Sequence, residues 1–291
     1  MRHWRQLGRE FRHRGKPIFY RYDGAGPVLL CIHGFPTASW DWHRVWKDLT
    51  GHFRVVAPDL IGFGFSAKPR HYDYSIFDQA DLIEGLLRQL DISEVDILAH
   101  DYGDTVAQEL LARHIEGGRG RRASGLGLRS VCFLNGGLIP DANRPLFIQK
   151  LLLSPLGKGA ALLLGERTFR RNFSRLFAPG KGPDDAEMAQ YWRLVSRGRG
   201  LAIMHRLIQY LKERKRWEDR WVGALAQSDV PLRLIAGALD SISGGRMAER
   251  YRQVVPAADV ITLEEAAHYP HLEVPDLVLS HFHQFIERTL R

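Results

Sequence analysis

The chain has 291 residues, of which 45% are hydrophobic and 25% charged, a balance that excludes extensive disorder and leaves room for one elaborated domain or two smaller ones. No apolar stretch approaches the roughly 20 residues of a membrane span. The basic opening, residues 1–9, lacks the apolar core of a signal peptide. The net charge of +8 is uneven: residues 139–224 hold 17 Lys and Arg against 8 Asp and Glu, and the remainder is nearly neutral. Those basic residues are scattered with no nucleic-acid motif, so a solvated helical surface is expected, and no nucleic-acid partner.

Taken in chain order, residues 9–22 alternate enough to form an antiparallel hairpin at a sheet edge. Residues 28–32 read as an apolar strand, followed directly by His33-Gly34-Phe35-Pro36. A glycine there lets the backbone turn, so that the Phe35 N–H can face a developing negative charge. A helix is expected over 40–49, a strand over 53–58 and an amphipathic helix over 76–90. Cys31 and Cys132 fall in apolar strand-like runs and read as reduced core residues, which makes a cytoplasmic enzyme the default.

Residues 95–101 form another apolar strand and 103–116 a helix. Between them Ala99-His100-Asp101-Tyr102-Gly103 has the small-x-nucleophile-x-small pattern of a strained strand-to-helix turn. Such a turn lifts the Asp101 carboxylate above the sheet at a helix N-terminus, where partial positive charge favours an anion. A carboxylate is a nucleophile at neutral pH and yields an ester. Asp101 as a simple helix N-cap is the alternative. The Tyr102 N–H, paired with that of Phe35, supplies two donors for an oxyanion.

After a strand at 130–134 and Asn135-Gly136-Gly137, the strand rhythm stops. Residues 139–224 are helical and Arg-rich, and strands return at 231–237 and 258–263 before a closing helix over 276–290. The pattern predicts an α/β core, residues 1–138 and 225–291, with a mostly parallel sheet carrying helices on both faces. A helical cap, residues 139–224, is inserted after the sixth strand. Asp240 ends the run 232–239, where an acidic partner would emerge at a strand's carboxyl end, and His268 follows the last strand in Ala267-His268-Tyr269-Pro270. Nucleophile, acid and histidine thus occur in the order 101, 240, 268. His271, His281 and His283 compete for the role of base, and His33 reads as a structural hydrogen-bonder.

Together HGFP, the Gly62-Phe63-Gly64 loop, AHDYG, Asp240 and AHYPHLEVP resemble the aspartate-nucleophile branch of the α/β-hydrolase fold family, which holds epoxide hydrolases and haloalkane dehalogenases. HDYGDTVAQELL, NGG and WVGALA are similar to the mesoderm-specific-transcript-like subgroup of that branch. The resemblance implies catalytic Asp101, Asp240 and His268, and no cofactor beyond water as second substrate. Haloalkane dehalogenases place a Trp after the nucleophile, whereas here the residue is Tyr102. Epoxide hydrolases project cap tyrosines onto the epoxide oxygen, and Tyr210, followed by Glu213-Arg214 and Trp217, resembles the second of these. No Tyr occurs between Tyr102 and Tyr191 where the first should lie, so Tyr191, with Trp192 beside it, is the candidate replacement in the substrate pocket. The expected reaction is epoxide hydrolysis through an ester on Asp101. The rivals are dehalogenation, or a membrane- or partner-associated module that uses the basic cap and the apolar run 146–156.

Overall fold

A computed structural model describes residues 1–117 and 125–289. Eight strands form one sheet: β1 (Arg9–His13), β2 (Lys16–Asp23), β3 (Val28–Ile32), β4 (Arg54–Pro58), β5 (Glu94–His100), β6 (Gly127–Leu134), β7 (Leu232–Gly237) and β8 (Asp259–Leu263). Their order is β1-β2-β4-β3-β5-β6-β7-β8. The β1–β2 hairpin and its junction with β4 are antiparallel, and every other pairing is parallel. The mostly parallel sheet, interrupted after β6 by a helical insertion, is as the strand and helix rhythm predicted.

Six successive residues of β5, Val95 to His100, are buried. Neighbouring side chains of a strand point to opposite faces, so this run requires cover on both sides of the sheet. Cys31 and Cys132 are free and buried in it, and burial pushes both thiols up. The carboxyl ends of β3, β5, β7 and β8 deliver the four segments that matter below, at the edge where open α/β sheets place their sites.

Three local expectations change. The helix expected over 40–49 is split into a 3-10 turn, Ser39–Arg44, and a helix, Trp46–His52. The turn is pinned at its start, where Asp59 Oδ1 accepts from the Ser39 N–H at 2.8 Å and Thr37 donates to Asp41. A helix not expected, Arg2–Gln6, buries Trp4 against Trp46, with ring centroids 4.6 Å apart. The closing helix runs Pro275–Thr289, and Leu290, expected to end it, lies outside the described residues.

The insertion between β6 and β7 carries seven α-helices among the described residues: Phe147–Leu153, Gly157–Leu162, Glu166–Ser174, Asp185–Ser196, Gly200–Leu207, Tyr210–Arg216 and Glu218–Gln227. The boundary expected at 224 cuts through the last of them, which packs on the core helix Tyr102–Glu116. Glu109 explains the docking. Its buried carboxylate accepts from Trp221 Nε1 at 2.9 Å, Arg220 Nε at 2.8 Å and Arg113 Nε at 2.8 Å. Residues 218–227 are therefore docked on that core helix.

Removing Glu109 leaves the buried Trp221 N–H without its acceptor, at a typical cost of about 1–3 kcal/mol, while Arg220 keeps Glu116 and Arg113 keeps Asp81 and Glu84. Glu109→Ala should therefore lower the unfolding free energy measured in urea by an amount in that range. A change under about 1 kcal/mol would mean that helix Glu218–Gln227 is held by its apolar face alone.

Candidate active site

Asp101 follows β5 with φ 46° and ψ −100°, a left-handed backbone conformation that strains a non-glycine residue by about 1–3 kcal/mol. The surrounding chain holds it there. Its N–H donates to the Leu134 carbonyl at 3.2 Å, and its own carbonyl accepts from Arg214 Nη2 at 2.8 Å. The turn depends on two glycines. A Cβ on Gly103 would lie 2.3 Å from the Ile32 carbonyl oxygen, and one on Gly34 would lie 2.6 Å from His100 Nδ1. The Asp101 side chain makes no cap hydrogen bond to the helix that follows it, which removes the N-cap alternative. Instead Oδ2 accepts from the Phe35 N–H at 3.1 Å. The donor expected to face an oxyanion thus already faces the carboxylate.

Asp240 leaves the end of β7 and meets His268 beyond β8, with Nδ1 donating to Oδ2 at 2.9 Å. Asn135 Nδ2 and Ser243 Oγ also donate to Oδ2, at 2.9 and 2.6 Å, and the Ile242 N–H donates to Oδ1 at 2.8 Å. Burial raises the Asp240 carboxyl, but the His268 charge and these donors outweigh it and hold it well below the usual carboxylate range. Burial likewise disfavours a charged His268. The Asp240 carboxylate, its hydrogen bond and the Asp101 charge win, and the imidazole is pushed up to about 9.

The competing histidines fall away on geometry. His271 is fully buried with neither ring nitrogen hydrogen-bonded among the described residues, tilted against Trp42 at 4.7 Å. His283 pairs with Asp48 at 2.6 Å, and the His281 carbonyl accepts from Arg233. His33 accepts from the Leu60 N–H at 3.0 Å and donates to the Gly34 carbonyl, the structural role expected of it. Among the described residues two groups could supply cation ligands, Asp41 with His100 and His271, and Asp48 with His52 and His283; in each, the ligand atoms lie within 4.8 Å of one another. Neither contains Asp101, Asp240 or His268.

Tyr210 begins its helix with its ring 4.7 Å from that of Tyr102 and 6.1 Å from that of Phe35. It therefore packs on the side chains of both residues whose N–H groups are the expected oxyanion donors. Burial raises its phenol, the Asp101 charge raises it further, and Arg214 opposes, so the hydroxyl keeps its proton at neutral pH. Two neighbours fix this helix. Glu213 accepts from the Ile76 N–H at 2.9 Å, at the start of helix Ile76–Gln89. Arg214, only 3% exposed, donates to Thr105 Oγ1 at 2.6 Å, sits 3.7 Å from Asp101 Oδ1 and stacks over the Tyr210 ring.

Tyr191 is not where the missing tyrosine was expected. Its ring packs 4.8 Å from Trp40 and 4.9 Å from Phe173, and Asp41 is the charge that most raises its phenol. Trp192 lies 5.6 Å from Phe169. Neither lines the cavity above His268, nor do Asp101, Tyr102 and Tyr210. That cavity, about 70 Å³, is walled by apolar side chains of the insertion, among them Leu152, Phe173 and Met204, with Gln149 and Asn172 as polar members and Phe35 and His268 toward the core.

Arg214, Asn135 and Ser243 went unassigned in the sequence. Arg214 and Asn135 lie inside noticed motifs, but nothing local says that one reaches the Asp101 carbonyl or that the other reaches Asp240, 105 positions away.

Over residues 27–275 the sequence matches the model of the alpha/beta hydrolase fold family. It is 39% identical to mouse mesoderm-specific transcript protein over 97% of this chain and 87% of that protein. The structure is similar to epoxide hydrolase CorEH (TM-score 0.78, 21% identity, 98% and 99% of the two chains). It is also similar to haloalkane dehalogenase DbeA of Bradyrhizobium elkani USDA94 (TM-score 0.80, 23% identity, 97% and 98%). At these identities the two structures speak for the fold. The chain belongs to the alpha/beta hydrolase fold family.

Proposed function

We propose that this hydrolase opens epoxides to vicinal diols through an ester on Asp101. The observation that carries the reading is that the charge of one carboxylate, Asp101, acts on both a tyrosine and a histidine. A buried, protonated Tyr210 sits over Phe35 and Tyr102, and His268, backed by Asp240, faces the cavity. An Asp101 oxygen attacks an epoxide carbon, the ring C–O bond breaks, and Tyr210 gives its proton to the leaving alkoxide. His268 then takes a proton from water, and the hydroxide attacks the ester carbonyl. The Phe35 and Tyr102 N–H groups hold the oxyanion until it collapses. The departing diol oxygen then takes the proton from His268, and the carboxylic acid formed on Asp101 returns a proton to the Tyr210 phenolate. Phe35 already reaches Asp101 Oδ2.

Haloalkane dehalogenation is the weaker reading. It needs polar hydrogens at a departing halide, and no tryptophan lines the cavity; its amides are Gln149 and Asn172. Those two amides are also the insertion's available second donors to an epoxide oxygen, in place of Tyr191. Release of chloride or bromide from haloalkanes, with no diol from epoxides, would reverse the order.

The ester is tested by repeated turnover in oxygen-18 water. The Asp101 side chain should take up label, because the hydrolytic water attacks its carbonyl carbon. Label that enters the diol directly and never the protein rejects Asp101 as nucleophile.

His268 gives a pH test whose sign follows from its surroundings. As a base it must be neutral, yet in the free enzyme it is pushed up to about 9, in part by the Asp101 charge. Esterification removes that charge, so the imidazole of the intermediate should titrate below the free-enzyme value. Hydrolysis of the ester should therefore speed up as pH rises from 6 toward 9, and the intermediate should accumulate at the acid end. His268→Gln should trap the ester as a mass equal to enzyme plus substrate, and Asp101→Ala should trap nothing. An ester hydrolysis rate that is flat or falling over this range excludes His268 as the base.

Tyr210→Phe deletes one hydroxyl and keeps the ring against Tyr102 and Phe35. The alkylation rate should drop by roughly 10²–10⁴-fold, the usual contribution of a positioned acid, with little change in melting temperature. A rate within about threefold of wild type with lowered stability would make Tyr210 a packing residue.

A further inference from the structure

We infer that the outer face of helices Phe147–Leu153 and Gly157–Leu162 docks on an anionic lipid bilayer, and that the substrate is lipophilic and enters the cavity from that side. Eight large apolar side chains are exposed among the described residues, and four of them, Phe147, Leu156, Leu162 and Leu163, fall within 17 consecutive positions. Phe147 and Leu163 are 80% and 86% exposed, so they contribute almost nothing to the fold that holds them. The two helices pack on each other and on Gly200–Leu207, which turns their remaining sides outward. A local concentration of exposed apolar groups marks a surface that meets another apolar phase.

Charge selects the partner. Residues 143–175 contain Arg144, Lys150, Lys158, Arg167, Arg170, Arg171 and Arg175 against a single acid, Glu166. Arg170 pairs with Glu166 and Asp185; the other six have no ion-pair partner among the described residues. Cations interspersed with exposed Leu and Phe match the headgroup boundary of an anionic membrane, where each basic residue strengthens binding by about fivefold. The opposite arrangement, a second copy of this chain, would bring two such cationic faces together.

Continuity with the cavity connects docking to substrate. Leu146, Ile148, Leu152 and Leu164 line the cavity and alternate in sequence with the exposed residues. The wall between cavity and exterior is thus the patch itself. At about 70 Å³ the cavity is below the ~300–1,000 Å³ of a ligand site, so a substrate of any size requires this wall to move. A bilayer that takes up Phe147 and Leu163 favours that movement and presents a lipid-dissolved substrate at the opening. The substrate half of the inference rests on the epoxide reading, whereas the docking half does not.

The test is co-sedimentation of the full chain with vesicles of phosphatidylcholine alone and of phosphatidylcholine with phosphatidylglycerol. Binding should favour the anionic vesicles and weaken as salt rises. It should fall at least tenfold in a Phe147→Ser, Leu156→Ser, Leu162→Ser, Leu163→Ser variant, whose substitutions are all exposed and leave the core intact. Hydrolysis of a long-chain alkyl epoxide carried in the vesicles should fall with it, while that of a short water-soluble epoxide stays at the wild-type rate. Absence of wild-type binding, or equal binding by the variant, overturns the docking. So does a wild-type dimer in sedimentation velocity that the same substitutions dissolve, since the face would then be a self-interface. If neither epoxide turns over but the vesicle results hold, the epoxide reading fails and the docking stands.

Discussion

The site depends on one strained residue and the groups that keep it strained. Asp101 occupies a left-handed conformation, φ 46°, that an isolated chain would abandon. It persists because its main-chain carbonyl is hydrogen-bonded by the buried Arg214 guanidinium and its side chain by the Phe35 N–H. These two contacts come from opposite sides, the helical insertion and the loop after β3. The geometry of the carboxylate is thus a property of the assembled protein, and loosening either side would relax it.

Arg214 also links structure to electrostatics. Its guanidinium lies 3.7 Å from Asp101 Oδ1 and over the Tyr210 ring, and its charge opposes the upward push that burial and Asp101 give the phenol. Glu213, one residue earlier, ties the same helix to the start of helix Ile76–Gln89. Across the cavity, Asp240 is locked by Asn135, Ser243 and the Ile242 N–H before it meets His268. Each proposed reacting group is therefore oriented by a buried partner from a distant segment, the preorganisation that lets fixed dipoles act without reorganising during reaction.

The insertion divides by what its helices touch. Helix Glu218–Gln227 is held to the core by Glu109 through Trp221 and Arg220, whereas helices Phe147–Leu153 and Gly157–Leu162 end in exposed Phe and Leu. Among the described residues no helix is long and apolar enough to cross a membrane. Contact with a lipid surface is a different requirement, met by a few exposed apolar side chains among cations.

The sequence by itself determined the fold class, the strand order of appearance, the turn at Ala99–Gly103 and the chain order of Asp101, Asp240 and His268. Those signals are local: strand periodicity, a small residue on each side of a tight turn, and a polar residue where an apolar strand ends. The tertiary structure joined His268, already indicated by the sequence, to Asp240, and it alone decided that Tyr191 packs toward Trp40, that the insertion's last helix packs on a core helix, and that Arg214 reaches the Asp101 carbonyl. The physical reason is the same in each case. Burial and hydrogen bonding between residues tens to hundreds of positions apart depend on how layers pack, and periodicity along one element records which face is buried but not what lies against it.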